Sequence, residues 1–245
     1  RPFSYYEGVV RQVRAALPQA DIKAFTPVEI VNFAKGEGIS VRDILRRLQA
    51  AGLSSLPGGG AEILSDRVRA VICPNKATRA EWIDCMRTAH ALGIRTNASM
   101  MYGHIETVEE RIDHLLALRD LQDETGGFQA FMLFPFHPEN TALGAEQKLA
   151  RVGSWEDMKM LALSRLVLDN VAHFKAFWVM LTQPIAQLAL GFGADDLDGT
   201  IGEEKIIHAA GAQTQTGITR RELDAMIREA GYVPVERDTF YQPIA

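Results

Sequence analysis

Apolar positions along this chain switch between two spacings. Tyr6, Val9, Val10, Val13 and Leu17 recur at helical intervals and predict a helix over 5–17, which Pro18 ends. Short apolar runs at 22–25, 53–56, 94–100, 128–134 and 174–178 predict strands. Helical patterns lie between them. Thr26 opens one as N-cap, with Pro27 at the first position and Glu29 in the first turn. Ser40 caps the next, over 40–51, with Asp43 three residues on. Further helices are expected at 63–71, 78–92 (stopped by Gly93), 107–123, 154–170, 184–191 and 219–230. A long loop joins 134 to 153. The strand centres lie ~30–45 residues apart, the spacing of βα units in a parallel sheet or barrel. No internal linker, repeat or low-complexity segment interrupts the series, so one domain is expected.

Three strands run into polar segments. Pro57-Gly58-Gly59-Gly60-Ala61-Glu62 follows the second, Met101-Tyr102-Gly103-His104-Ile105-Glu106-Thr107 the third, and Pro135-Phe136-His137-Pro138-Glu139-Asn140-Thr141 the fourth. α/β barrels build their sites at the carboxyl ends of strands, so one site assembled from several strand ends is the natural reading. Successive glycines let a backbone approach a ligand and offer N–H groups to it, although a tight strand-to-helix turn has the same composition. The phosphate-loop pattern Gly-Lys-Ser/Thr is missing. Glu62 has the chemistry to hold a diol through two O–H donors. In the second loop, Thr107 also suits a helix cap and Glu106 a helix dipole.

Charge and composition narrow the classes. The 245 residues are 47% hydrophobic, with a net charge of −5 and a pI near 5.7. This argues against a general nucleic-acid or membrane-surface binder. No apolar run is long enough to span a bilayer and no signal-peptide pattern is present, which points to the cytoplasm. Cys73 and Cys85 lack a Cys-x-x-Cys pattern and read as reduced thiols. The six histidines form no zinc motif. His90, His114 and His208 fall on predicted helices and read as structural, whereas His104 and His137 sit on strand-end loops. Lys23 and Lys175 lie within strands and suit an ion pair or an anionic substrate, or less readily a Schiff base. Asp195, Asp196 and Asp198 suit either a divalent cation or local capping. The chain opens at Arg1-Pro2-Phe3 without an initiator methionine, as expected of a chain that has lost its first portion.

The motifs carry a resemblance. Leu56-Pro57-Gly58-Gly59-Gly60-Ala61-Glu62-Ile63 and the Met101–Thr107 segment resemble the menaquinone and deazaflavin-cofactor branch of the radical S-adenosylmethionine enzymes. Asp120-Leu121-Gln122-Asp123-Glu124-Thr125-Gly126-Gly127-Phe128, leading into Phe136-His137-Pro138-Glu139-Asn140-Thr141, narrows it to the aminofutalosine synthase family. Lys175-Ala176-Phe177-Trp178-Val179-Met180-Leu181 and Phe192-Gly193-Ala194-Asp195-Asp196-Leu197-Asp198-Gly199-Thr200 do the same. The related cyclic dehypoxanthine futalosine synthases tend to carry Gln-Pro-Gly in place of His137-Pro138-Glu139, and Trp-Val-Thr-Gln in place of Trp178-Val179-Met180-Leu181.

The resemblance implies an α/β fold: a partial (β/α)6 TIM-like barrel of the radical S-adenosylmethionine type, lacking its first strands and closed by a C-terminal helical extension. Residues 1–245 would be the C-terminal portion of that single domain. It implies a four-iron four-sulfur cluster and S-adenosylmethionine as co-substrate. The family's Cys-x-x-x-Cys-x-x-Cys motif is not in this chain, so the cluster cysteines are expected upstream of Arg1, and the chain alone is expected to be inactive. The implied reaction adds the 5′-deoxyadenosyl radical to 3-[(1-carboxyvinyl)oxy]benzoate, with rearrangement and loss of carbon dioxide. A flavodoxin or ferredoxin would supply electrons, and a homodimer would cover exposed barrel edges. Gly59, Gly60, Glu62, Lys76, Ser99, Gly103, His104, Glu106 and Thr107 are expected around S-adenosylmethionine. Lys23, Thr26, Asn97, Tyr102, Phe136, His137, Asn140, Thr141 and Trp178 are expected around the second substrate. The alternatives are a cyclic dehypoxanthine futalosine synthase or a related radical S-adenosylmethionine enzyme and, from another class, a non-catalytic ligand-binding barrel.

Overall fold

The computed structural model describes residues 1–201, 204–215 and 217–244. Its helices begin where the sequence supplies caps. Thr26 Oγ1 accepts the Glu29 N–H, and the Glu29 carboxylate takes the Thr26 N–H at 2.7 Å, opening α2 (Pro27–Glu37) after α1 (Phe3–Ala16). Ser40 caps α3 (Val41–Ala51). The reciprocal box recurs at Thr78 and Glu81, and at Thr107 and Glu110. These start α5 (Arg79–Ala91) and α6 (Val108–Thr125), with α4 (Asp66–Ile72) before them.

Four strands, β1 (Ser55–Leu56), β2 (Arg95–Tyr102), β3 (Phe128–Pro135) and β4 (His173–Lys175), pair in chain order and all parallel. Single parallel bridges extend the series at both edges, Lys23 to Ser55 and Lys175 to Asp196. Helices alternate with the segments, the arrangement of an α/β barrel wall. The two faces of this wall differ. Ala98, Met100 and Tyr102 on β2, Phe131 and Leu133 on β3, and Phe174 on β4 pack outward into one apolar core. Ile30, Ile44, Leu45, Leu48 and Ile94 form a second core beneath α1, α2, α3 and α5. By register, Asn97, Ser99, Met132 and Lys175 share the opposite, inner face. A one-residue register shift at Gln129 lets its amide reach Asn97 Oδ1 at 3.2 Å.

Later elements are α7 (Ala142–Gln147), α8 (Ser154–Val167), α9 (Trp178–Leu181), α10 (Gln183–Ala189), α11 (Ile206–Ala210) and α12 (Arg220–Glu229). The chain then returns to the sheet. Arg237 pairs with Asp196, the Thr239 carbonyl accepts from Gln129, and the Tyr241 ring stacks on His173 at 3.9 Å.

Several elements differ from the sequence pattern. The strand expected at 22–25 contributes one bridge, because Phe25 takes a positive φ of 62° and turns the chain into α2. The strand expected to reach Trp178 ends at Lys175, where the Ala176 N–H bonds to the Asp196 carbonyl and the backbone leaves the sheet. The helix expected from 63 starts at Asp66, since Ile63 and Leu64 are buried in the loop before it. The short helix α7 lies in a stretch whose polar and glycine content conceals helical period, and α11 places His208 on a helix as expected.

Two predictions follow from this packing. His90 is half-buried between Thr125 and Thr96, and the fully buried His114 accepts the Leu64 N–H; loss of water around the rings lowers them to about 4 and about 3 from an ordinary 6.5. Both stay neutral when folded, so the unfolded chain binds more protons below 6.5. Their full contribution to stability is present above pH 6.5 and is lost as pH falls toward the folded values. Urea midpoints measured from pH 7 to 5 should fall, with each histidine accounting for about 2 kcal/mol at pH 5, and His114→Gln should flatten the slope.

The second concerns glycines. A Cβ on Gly58, at φ +77°, would lie 1.8 Å from the Asn97 carbonyl oxygen, whereas Gly8 in α1 has nothing within 4 Å. Gly58→Ala should cost roughly 2–4 kcal/mol, and Gly8→Ala should add about 0.5–1 kcal/mol, read from the same urea midpoints.

Candidate functional site

The loop after β1 is held by its carbonyl groups. Gly58 O accepts from Ser99 Oγ at 3.4 Å, Gly59 O from Trp82 Nε1 at 3.2 Å, and Glu62 O from the Met101 N–H at 2.7 Å. Arg69, buried at 4% exposure, donates to the carbonyls of Gly60, Ala61, Ile63 and Ala77. A buried guanidinium satisfied by carbonyls alone fixes the loop without an opposing carboxylate. The N–H groups of Gly59, Gly60 and Ala61 have no acceptor among the described residues. The loop therefore keeps backbone donors at a strand end that no described residue claims.

Glu62 and Lys76 stand at the rim of this loop. They were expected to contact separate parts of a ligand, but they contact each other, Lys76 Nζ to Glu62 Oε1 at 2.5 Å. Glu62 takes φ +47° there.

The turn after β2 is built from its own side chains. Glu106 is fully buried and accepts from the Gly103 N–H at 2.6 Å, the His104 N–H at 2.9 Å and Arg111 Nε at 2.7 Å. Despite burial, contact with the His104 ring and these N–H groups lowers it to about 2. His104 Nε2 lies 3.2 Å from the Met101 carbonyl, and its ring is also buried. Thr107 caps α6. The side chains of Glu106 and Thr107 thus order the turn, as the sequence suggests for a helix cap and a dipole partner, and the His104 ring is taken up by the Met101 carbonyl and the Ile105 N–H. Gly103 itself is tight: at φ +88°, a Cβ would lie 2.9 Å from Val152.

Other expected residues are likewise taken by the fold. Tyr102 faces the outer core with its hydroxyl on Asp157, so it is no wall for an inner ligand. Trp178 is fully buried and donates to Gly199 O at 3.0 Å. Thr26 caps α2, and its Cγ2 would lie 3.3 Å from a Cβ on Gly59. Asn140 donates to Ala209 O, and Thr141 caps α7. Phe136 meets the His104 ring edge-on at 5.9 Å. His137 Nε2 lies 3.1 Å from the Met180 carbonyl, and burial lowers its pKa. It lines a groove of about 360 Å³ with Glu139, Arg151, Asp157, Met180 and Thr182.

The inner face gathers what the sequence separates by more than 200 residues. Lys175 pairs with Asp198, and Arg237 Nε with Asp196 Oδ2 at 2.5 Å. Asp195 accepts from the Phe174 N–H and His173. The acidic run is spent on pairing and capping. Lys23 neighbours this group, and burial together with Lys175 and Arg237 lowers it to about 8. The sequence reading missed Arg69, Arg111, Gln129, Arg237 and Tyr241; an arginine amid Val68, Ala70 and Val71 was the one available signal.

The donors present do not fit a four-iron four-sulfur cluster. Among the described residues no three His, Cys, Asp or Glu side chains are placed to hold a metal. Cys73 and Cys85 are both buried, and burial pushes the Cys85 thiol up to about 12, away from the thiolate a cluster needs. No described helix is long and apolar enough to cross a membrane.

Comparison with known proteins agrees with this geometry. Residues 5–118 match the family model described as the radical SAM superfamily, and residues 125–245 the one described as the CofH/MqnC C-terminal region. Aminodeoxyfutalosine synthase of Thermus thermophilus is 46% identical over 245 residues, covering 100% of this chain and 66% of the relative. A 5-amino-6-(D-ribitylamino)uracil–L-tyrosine 4-hydroxyphenyl transferase of Methanosarcina acetivorans is 45% identical, over 98% of this chain and 65% of its own length. The chain thus spans just under two thirds of these relatives. The crystal structure of methylornithine synthase superposes with a TM-score of 0.62 at 12% identity, over 95% of this chain and 64% of that one, a likeness of fold. With both family models matched in succession along a parallel α/β barrel wall, the chain belongs to the radical S-adenosylmethionine superfamily.

Proposed function

We propose that the protein to which this chain belongs is an aminofutalosine synthase, joining the 5′-deoxyadenosyl group of S-adenosylmethionine to 3-[(1-carboxyvinyl)oxy]benzoate in menaquinone biosynthesis. The cluster such chemistry requires finds no ligand set among the described residues, whose own roles would be to bind and orient the small molecules. The observation that carries the reading is the loop after β1. Its carbonyls are drawn back by Arg69, Trp82, Ser99 and the Met101 N–H, and its N–H groups at Gly59, Gly60 and Ala61 remain unclaimed. A sugar- and carboxylate-bearing co-substrate offers acceptors to such donors. The Glu62–Lys76 pair at its rim would open to give the carboxylate to ribose hydroxyls and the ammonium to the methionyl carboxylate.

A second reading, transfer from tyrosine, has the support of the 45% identical relative. It fits the inner face less well. An amino acid's ammonium would compete with Arg237 for Asp196, with Lys175 for Asp198 and with the Phe174 N–H and His173 for Asp195.

Two experiments test the proposal. Anaerobic incubation of the protein with reductant and S-adenosylmethionine should give aminofutalosine by mass spectrometry when 3-[(1-carboxyvinyl)oxy]benzoate is supplied. Product from tyrosine with 5-amino-6-(D-ribitylamino)uracil alone would replace this reading with the second. Glu62→Gln and Lys76→Met should each weaken S-adenosylmethionine binding by about tenfold in calorimetry, the scale of one charge-assisted hydrogen bond. Wild-type affinity in both variants would leave the pair a rim contact only.

A further inference from the structure

The inner face of the sheet holds three cations and two of the aspartates that pair with them. Lys175 is bound to Asp198, and Arg237 to Asp196. Asp196 also accepts the Asp198 N–H at 2.7 Å, so both of its oxygens are in use. Two donors in the same group have no partner among the described residues. One is the Lys23 ammonium, which neighbours Lys175, Arg237, Asp196 and Asp198 without a hydrogen bond or ion pair to any of them. The other is the Tyr241 hydroxyl, buried and unpartnered, on a ring that lies under the Arg237 guanidinium at 4.3 Å.

The placement is constrained from both sides. Ile22 and Ala24 pack on the second apolar core, so Lys23 between them takes the inner face. Tyr241 is fixed by stacking on His173 at the start of β4, and the Thr239 carbonyl beside it is held by Gln129. Unpaired donors are costly to bury, and with Asp196 filled by Arg237 and the Asp198 N–H and Asp198 held by Lys175, an acceptor-only anion matches the donors left over.

We propose that this group is a carboxylate subsite: Lys23 and Tyr241 receive the anionic end of the aromatic co-substrate, and the C-terminal segment from Arg237 to Tyr241 forms the floor of the site. The proposal rests on the function proposed above and names the substrate class its inner face takes. Arg237 acts as a positioning residue. By occupying Asp196 it keeps that carboxylate from taking Lys23, which leaves the ammonium for the ligand. The segment that closes the chain's described part thereby belongs to the site and is more than a terminal extension.

The test uses 3-hydroxybenzoate and its uncharged analogue 3-hydroxybenzamide as probes, with dissociation constants measured by titration calorimetry on the protein. Wild type should bind the acid at least tenfold more tightly than the amide. Lys23→Gln should abolish this preference and leave amide binding unchanged, and Lys23→Arg should restore it. Tyr241→Phe, which keeps the ring stack, should reduce it severalfold. Arg237→Gln should also reduce it, and Arg237→Lys should recover it. A wild type without charge preference, or a Lys23→Gln variant that retains one, would overturn the subsite. Loss of acid and amide binding together in Lys23→Gln would show a merely structural lysine and overturn it equally. Product formation by wild type is scored separately: aminofutalosine without charge preference removes the subsite and keeps the function, and charge preference without aminofutalosine does the reverse.

Discussion

A parallel sheet with apolar helices outside turns its charged side chains to the inner face, where buried polar groups must find partners within the protein or in a ligand. That constraint organises this molecule. Lys175 and Gln129 are buried and Arg237 largely so, and each is met by a partner from elsewhere in the chain: Asp198, Asp196, and Asn97 with the Thr239 carbonyl. The C-terminal segment is held against the sheet by these polar contacts and the Tyr241–His173 stack. Inner-face chemistry and closure of the fold are therefore one problem with one solution.

The strand-end loops obey the same rule by other means. Arg69 replaces a network of partners with one guanidinium, whose five donors are spent on backbone carbonyls of the glycine loop and Ala77. Glu106 does the converse after β2, spending a carboxylate on two N–H groups and Arg111. One loop is fixed by its carbonyls and keeps its N–H groups; the other has Gly103 and His104 N–H groups consumed. This asymmetry is the reason the proposed co-substrate site is put at the loop after β1.

Much of the fold was legible in local signals. Thr26 with Glu29, Thr78 with Glu81 and Thr107 with Glu110 mark helix starts through chemistry confined to four residues, and each forms. Strand order follows from short βα connections. The site was less legible, because composition does not say where a side chain points. Tyr102 reads as a binding wall by its place after Met101, but the alternation of β2 sends it outward to Asp157. Thr107 reads as a cap and Glu106 as a partner of the helix start, and both order the turn after β2, but that Glu106 also takes Arg111 is not visible in the local sequence. Arg237 and Tyr241 lie some 40 residues past the acidic run they meet, a separation that no periodicity reports.

A crystal structure of the anaerobically prepared protein with S-adenosylmethionine and 3-hydroxybenzoate tests the account most directly. The account predicts the nucleoside against the Gly59–Glu62 backbone, with the benzoate on the inner face and its carboxylate within hydrogen-bond distance of Lys23 Nζ. Benzoate bound instead in the groove between His137, Arg151 and Thr182, with Lys23 still unpartnered, would contradict it.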